Sequence, residues 1–186
     1  MTSANMAAPR LRTLDLAYIA LFSVLIAVCA WISLPVMTIS FTLQTFAVFA
    51  ALLTLGGRRG TYAVLVYLLL GLVGLPVFSG FQGGPGVLLG ATGGYIIGFV
   101  ATALLYWLIT AKLGTSLPVA AAACVLGLAA CYAFGTVWFL KVFSMSDSSM
   151  DLSKALGLCV TPFILPDLCK LALAVVLSQR VKKFLK

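Results

Sequence analysis

Asp167 and Lys170 stand three residues apart in ILPDLCKLALAVV, the one ionisable pair set deep inside an apolar run of this 186-residue chain. On a helix, residues three apart project from the same face, so a carboxylate and an ammonium are presented side by side. Such a pair can neutralise itself, or it can offer a charged acceptor and a charged donor to a ligand. An ionised side chain in hydrocarbon costs at least about 2.5–3.5 kcal/mol on insertion scales and normally faces an interior or a cavity. Apolar residues would have avoided that cost, which favours binding over mere neutralisation. Counting back from Lys182 at 1.5 Å per residue, Lys170 lies about 18 Å up the helix and Asp167 about 22 Å. Both then fall in the outer half of a hydrocarbon core about 30 Å thick, within reach of a ligand from outside. Pro162 and Pro166 just before the pair either bend this helix or mark its first turns.

A second pattern is GFQGGPGVLLGATGGYIIGF, residues 80–99. It is no nucleotide cradle, because Ala91 and Thr92 follow Gly90 and the lysine of a phosphate-binding loop is missing. Gly83, Gly84 and Gly86 let a loop turn tightly and cover a site. Gly93, Gly94 and Gly98 let a neighbouring helix approach closely, and close packing alone explains those three equally well. Gln82 adds amide donors and an acceptor at the proposed mouth.

Two weaker patterns remain. In ISFTLQTFAVF, Thr42, Gln44 and Thr45 are polar where lipid-facing residues would be apolar. They either point into a site or bond between helices. Ala20, Ser23, Ala27 and Ala30 recur at spacings of three, four and three, a small-residue stripe along one helix face that permits close helix contact in lipid. The stripe does not say whether its partner lies in this chain or in another.

The elements that must position these residues follow from composition. The chain is 63% hydrophobic and 9% charged, where a soluble domain carries about a quarter charged residues. No soluble core hides that much apolar surface, so the solvent is lipid. The chain has four Asp, no Glu and no His. Without His or Glu there is no ordinary general base, no imidazole metal ligand and no Ser-His-Asp triad. Cys29, Cys124, Cys131, Cys159 and Cys169 lie in apolar runs with no C-x-x-C pair and no zinc spacing. They read as buried, hydrophobe-like thiols. Neither a catalytic set nor a metal site is indicated.

Six apolar runs can be marked, at about 14–34, 37–55, 61–78, 91–111, 118–143 and 155–181. A crossing takes about 20 helical residues; the second and third runs fall short, as suits helices that end at a protein-lined cavity. The runs are too continuous for barrel strands, which alternate with period two. Arg10 and Arg12 precede the first run, Arg58 and Arg59 part the second and third, and Lys112 parts the fourth and fifth. Arg180, Lys182, Lys183 and Lys186 close the chain. Of the opposite connections, only the last holds basic residues, Lys141 and Lys154, beside Asp147 and Asp151. The positive-inside rule then places both termini in the cytoplasm. The expectation is an all-α membrane protein, one domain over 1–186 with six transmembrane helices and a cytoplasmic N-terminal segment over 1–13. The net charge of +8 is a topology signal and no sign of nucleic acid, since no groove-like basic patch forms.

FTLQTFAVFAALLTLGGRRG, then LPVFSGFQGGPGVLLGATGGYIIGF, then LPDLCK resemble the BioY family, the biotin-binding S components of energy-coupling factor (ECF) vitamin transporters. The resemblance runs from Asp15 to the basic tail. It implies a six-helix, multi-pass protein of a bacterial-type cell membrane, with an outward-facing vitamin pocket and biotin as transported ligand rather than a cofactor. It implies that Asp167 and Lys170 contact biotin, with Gln82, Gly83, Gly84, Thr92, Gly93 and Tyr95 of the glycine-rich loop and fourth run completing the pocket; Gln44 and Thr42 join it where they point into a site rather than bond between helices. It also implies a transmembrane coupling protein and a pair of cytoplasmic ATPases as partners, docked on the face with Ala20, Ser23, Ala27 and Ala30. Ala91 stands where the family often has Pro. The residues alone leave three other readings open: the same architecture for another vitamin such as thiamine or riboflavin, a membrane-embedded enzyme, and a structural subunit without ligand.

Overall fold

The structure, a computed structural model, describes residues 12–36, 39–144 and 151–183. Arg10, Asp147, Lys186 and nearly all of the expected N-terminal segment lie outside the described residues. The described chain is helical but for one small hairpin. Its order is α1 (Thr13–Trp31), β1 (Ser33–Val36), β2 (Ile39–Thr42), α2 (Gln44–Leu55), α3 (Gly57–Leu72), a 3-10 turn (Ser79–Phe81), α4 (Pro85–Leu89), α5 (Gly93–Leu113), α6 (Leu117–Ser144), α7 (Leu152–Cys159) and α8 (Thr161–Val181). Among the described residues, four stretches are long and apolar enough to cross a membrane: α1, α5, α6 and the stretch Leu152–Val181 that α7 and α8 share. Leu21 and Val24 of α1, Leu104 and Leu108 of α5, Leu126 and Val137 of α6, and Leu165 and Leu173 of α8 are all exposed. Apolar surface on every long helix is lipid-facing surface.

The run at 37–55 is not wholly helical, and the molecule is therefore not strictly all-α. β1 and β2 pair antiparallel, with Ser33 opposite Thr42 and Val36 opposite Ile39. Pro35 cannot continue a helix, and Ile39, Phe41 and Thr42 suit extended backbone. Helix α2 begins only at Gln44, and every residue from Ala47 to Leu53 is buried, among α1, α3 and α8. A helix apolar all round is a buried one, and its shortness follows. The run at 61–78 also shifts, since α3 starts at Gly57 and ends at Leu72. Gly56 makes the sharp turn between α2 and α3 at φ 82°, where a Cβ would be strained. The last run is broken at Val160 into α7 and α8; Pro162 sits in the first turn of α8, and Pro166 lies inside that helix.

Small polar groups join the helices. The Ser23 hydroxyl of α1 lies 2.9 Å from the Ala63 carbonyl of α3. Thr61 of α3 donates to Ala103 of α5 at 3.2 Å, and Thr102 of α5 to Gly127 of α6 at 2.8 Å. In lipid such bonds average about 0.6 kcal/mol each, and here one stands at each successive crossing. They also correct the expected docking face. Ser23, Ala27 and Ala30 are buried within this chain, and only Ala20 of the stripe is exposed. The stripe is narrow because α3 occupies its inner side. At the end of α1 remote from the hairpin, Arg59 pairs with Asp15 at 2.9 Å, and Asp15 accepts the Arg12 backbone N–H at 3.0 Å.

Candidate functional site

Chain segments far apart in sequence enclose a cavity of about 460 Å³: the hairpin, the first turn of α2, the 3-10 turn, the start of α5, the middle of α6 and the α7–α8 junction. Small-molecule sites occupy about 300–1,000 Å³. Phe78, Ile96, Phe99, Leu128 and Phe163 give it an apolar wall, and Ser33, Ser40, Thr42, Gln44, Thr45, Ser79, Gln82 and Thr92 a polar one.

At one side lie Asp167 and Lys170, one helical turn apart on α8, with side chains only 5% and 7% exposed. The Lys170 ammonium donates to Asp167 Oδ1 at 2.7 Å and to the Thr42 backbone carbonyl of β2 at 2.6 Å. It also sits 4.0 Å from the centre of the Phe41 ring, an attraction of charge to quadrupole; Phe41 in turn stacks on Phe163. The Tyr132 hydroxyl of α6 donates to Asp167 Oδ2 at 2.6 Å. Each carboxylate oxygen thus has a charged or hydroxyl donor, and the ammonium has two oxygen acceptors. Bonds to ions at these lengths are the strong class, which is how two charges persist at this depth. Carboxylate lone pairs beyond these two bonds can accept N–H groups, and the ammonium retains a third N–H.

The glycine-rich segment forms one wall and is fastened at several points. The Gly84 N–H donates to the Gly71 carbonyl of α3 at 2.7 Å, and the Phe78 N–H to Gln82 at 2.9 Å. The Trp31 indole at the end of α1 donates to the Pro76 carbonyl at 2.8 Å, and its ring stacks on Phe81 at 5.0 Å. Trp138 of α6 donates to the Gly90 carbonyl at 3.0 Å. On the inner side, the Gln44 amide nitrogen lies 2.8 Å from the Tyr67 hydroxyl, and the Tyr95 hydroxyl lies 3.0 Å from Thr136 Oγ1.

Of the residues proposed from sequence, Thr42, Gln44, Gln82, Thr92, Tyr95, Asp167 and Lys170 line this one cavity. Thr42 meets Lys170 through its backbone, since its hydroxyl accepts the Gln44 N–H. Gly83 lies instead in a shallow neighbouring recess with Gln82, Gly86 and Gly90. Gly84 and Gly93 are not among the lining residues: Gly84 turns the loop at φ 92°, and a Cβ on Gly93 would strike the Leu88 backbone of α4. Sequence reasoning missed Tyr132, Cys131, Cys159 and Phe163. The available signal for Tyr132 was a hydroxyl in an apolar helix, which seeks a partner when buried. The cysteines carried none, being indistinguishable from core thiols.

The BioY family model matches residues 2–186. The biotin transporter BioY of Thermotoga maritima is 42% identical over 163 residues, 88% of this chain and 92% of that protein. A probable biotin transporter BioY of Pyrococcus horikoshii is 37% identical over 170 residues, 90% of this chain and 96% of that one. Among solved structures, the S-component for biotin from an ECF-type ABC transporter superposes with a TM-score of 0.81 at 27% identity, covering 94% of this chain and 95% of that one. These named relatives are transporters and not enzymes, and a match over nearly the whole length at such identity means that the chain belongs to the BioY family.

Proposed function

We propose that this chain captures biotin from outside the cell and is the substrate-binding subunit of a biotin importer. The observation that carries the reading is the cavity's ionic end, Asp167 and Lys170 in one network with Tyr132 and the Thr42 carbonyl. Biotin offers two ureido N–H donors, a carbonyl acceptor, an apolar bicycle and a carboxylated tail. Asp167 accepts a ureido N–H, and the third N–H of Lys170 goes to a ligand oxygen. Phe78, Phe99 and Phe163 take the bicycle and the alkyl tail. Gln82 and Thr92 stand at the glycine-rich wall as further polar contacts, while Gly83, Gly84 and Gly93 shape that wall.

In this reading the protein crosses a bacterial-type cell membrane six times with both termini in the cytoplasm. The clustering of Arg12, Arg58, Arg59, Lys112 and Arg180 at the ends of runs supports it by the positive-inside rule. Energy comes from a separate transmembrane coupling protein and a pair of cytoplasmic ATPases. Of the small-residue stripe, Ala20 is the part left on the surface for such a partner, beside exposed Leu21 and Val24.

Calorimetric titration of biotin into the purified protein tests the reading, with thiamine and riboflavin as controls and Asp167→Asn in parallel. Tight biotin binding that weakens about 30-fold or more in the variant, with no heat from the other vitamins, is the expected result. No biotin heat in folded protein would overturn the assignment.

A further inference from the structure

Tyr132 is the one member of the ionic network that does not come from α8 or the hairpin. Its position is set independently of the ligand. The preceding residue, Cys131, donates through its sulfur to the Tyr95 carbonyl of α5 at 3.3 Å. A Cβ on Gly98 of α5 would lie 2.8 Å from that sulfur, so the two helices meet without room for adjustment. Tyr132 is therefore carried on a stretch of α6 seated closely against α5, half-buried and lining the cavity. From there its hydroxyl reaches across to Oδ2 of Asp167, while Lys170 holds Oδ1 from the same helix.

We infer that Tyr132 is a positioning residue for ligand capture: its hydroxyl fixes the rotation of the Asp167 carboxylate so that the unused lone pairs face the cavity. Two donors arriving from different helices pin a carboxylate that one donor would leave free to turn. Without the hydroxyl, the carboxylate swings so that both oxygens face the Lys170 ammonium, the geometry a lone ion pair prefers, and its lone pairs leave the cavity. Tyr132 then contributes to affinity through Asp167: its single proton goes to the carboxylate and none is left to donate to the ligand. The inference rests on the proposed reading that Asp167 accepts an N–H from the ligand.

A double-mutant cycle on biotin affinity tests it, read by equilibrium dialysis of radiolabelled biotin against protein in lipid nanodiscs. Tyr132→Phe keeps the ring and removes the donor; the expected loss is about tenfold to a hundredfold, the range for a hydrogen bond to a charged group. In the Asp167→Asn background the same change is expected to cost less than threefold, because no carboxylate is left to orient. Equal losses in both backgrounds would mean that Tyr132 meets the ligand itself or merely fills space, and would overturn the inference. So would a Tyr132→Phe protein that binds within twofold of the parent. If Tyr132→Phe alone does not fold, the cycle is run with Tyr132→Leu, and the same fall from at least tenfold to less than threefold between the two backgrounds is expected. Absence of biotin binding by the parent itself would remove the proposed function and the inference with it, an outcome distinct from binding that Tyr132 fails to influence.

Discussion

Removing the Lys170 charge should separate the pair's part in folding from its part in binding. Lys170→Met keeps an unbranched stem of similar length and deletes the ammonium. Asp167, 5% exposed, is left with the Tyr132 hydroxyl as its donor within the network, and the Thr42 carbonyl loses its bond at 2.6 Å. Breaking one partner of a buried pair costs about 3–5 kcal/mol of stability, because the remaining charge is uncompensated. For binding, loss of one buried charged contact costs about 2–5 kcal/mol, or about 30-fold to 5,000-fold in Kd. The double variant Asp167→Asn/Lys170→Met leaves no orphaned charge, and its unliganded stability is expected within about 1 kcal/mol of the parent, while biotin binding stays weakened at least as much as in Lys170→Met. Thermal unfolding of the unliganded protein in nanodiscs and calorimetric titration read the two quantities separately. If Lys170→Met binds biotin within threefold of the parent, the pair is structural. If the double variant is as unstable as either single one, the two charges do not compensate each other and the argument from burial fails.

Other substitutions probe the surrounding frame. Ala20→Trp is expected to leave biotin affinity unchanged and to impair cellular uptake, whereas Ala27→Trp, on a residue 4% exposed and packed inside the chain, should destabilise the protein before any partner is involved; equal behaviour in both assays would refute that distinction. Gly135→Ala places a methyl group against the Tyr95 ring and pushes that ring toward the cavity, so affinity should drop about tenfold, the low end of overpacking costs near 1–3 kcal/mol; an unchanged Kd would show that the ring yields elsewhere. Trp31→Phe keeps a ring against Phe81 and loses the bond to the Pro76 carbonyl, and should speed biotin release severalfold in a stopped-flow chase. Asp151 caps α7 through the Leu152 N–H, and the Ser153 hydroxyl with that N–H holds its carboxyl below the usual value. A depressed folded value means that the cap stabilises above the ordinary carboxylate range and fades as pH falls through the folded value. Hydrogen exchange at the start of α7 should therefore accelerate, beyond the ordinary pH trend, only at strongly acidic pH and in Asp151→Ala at neutral pH.

Much of the site was legible because each residue type advertised its own cost. A carboxylate and an ammonium inside ILPDLCKLALAVV are unfavourable in lipid unless something uses them, and a helix puts them on one face whatever the fold. Thr42, Gln44 and Tyr95 were found by the same reasoning or by their place in T-L-Q-T and T-G-G-Y. The glycines were legible as glycines but not in their separate duties. Whether Gly93 faces a ligand or the Leu88 backbone depends on where α4 lies, and a glycine carries no side chain to betray that.

The sequence by itself determined the solvent, the helical character of the long runs and the deep ionic pair, since these follow from local composition and from residues close along one helix. It could not reveal the hairpin hidden in the run at 37–55, the break at Val160, or the inward turn of Ser23, Ala27 and Ala30, because an apolar residue is equally content against lipid and against a neighbouring helix. Only tertiary structure brought the Thr42 carbonyl to a lysine 128 positions away and Tyr132 to Asp167. Those bonds join elements distant in sequence, and which hydroxyl or carbonyl completes a buried charge is decided by how helices cross, something no local pattern encodes.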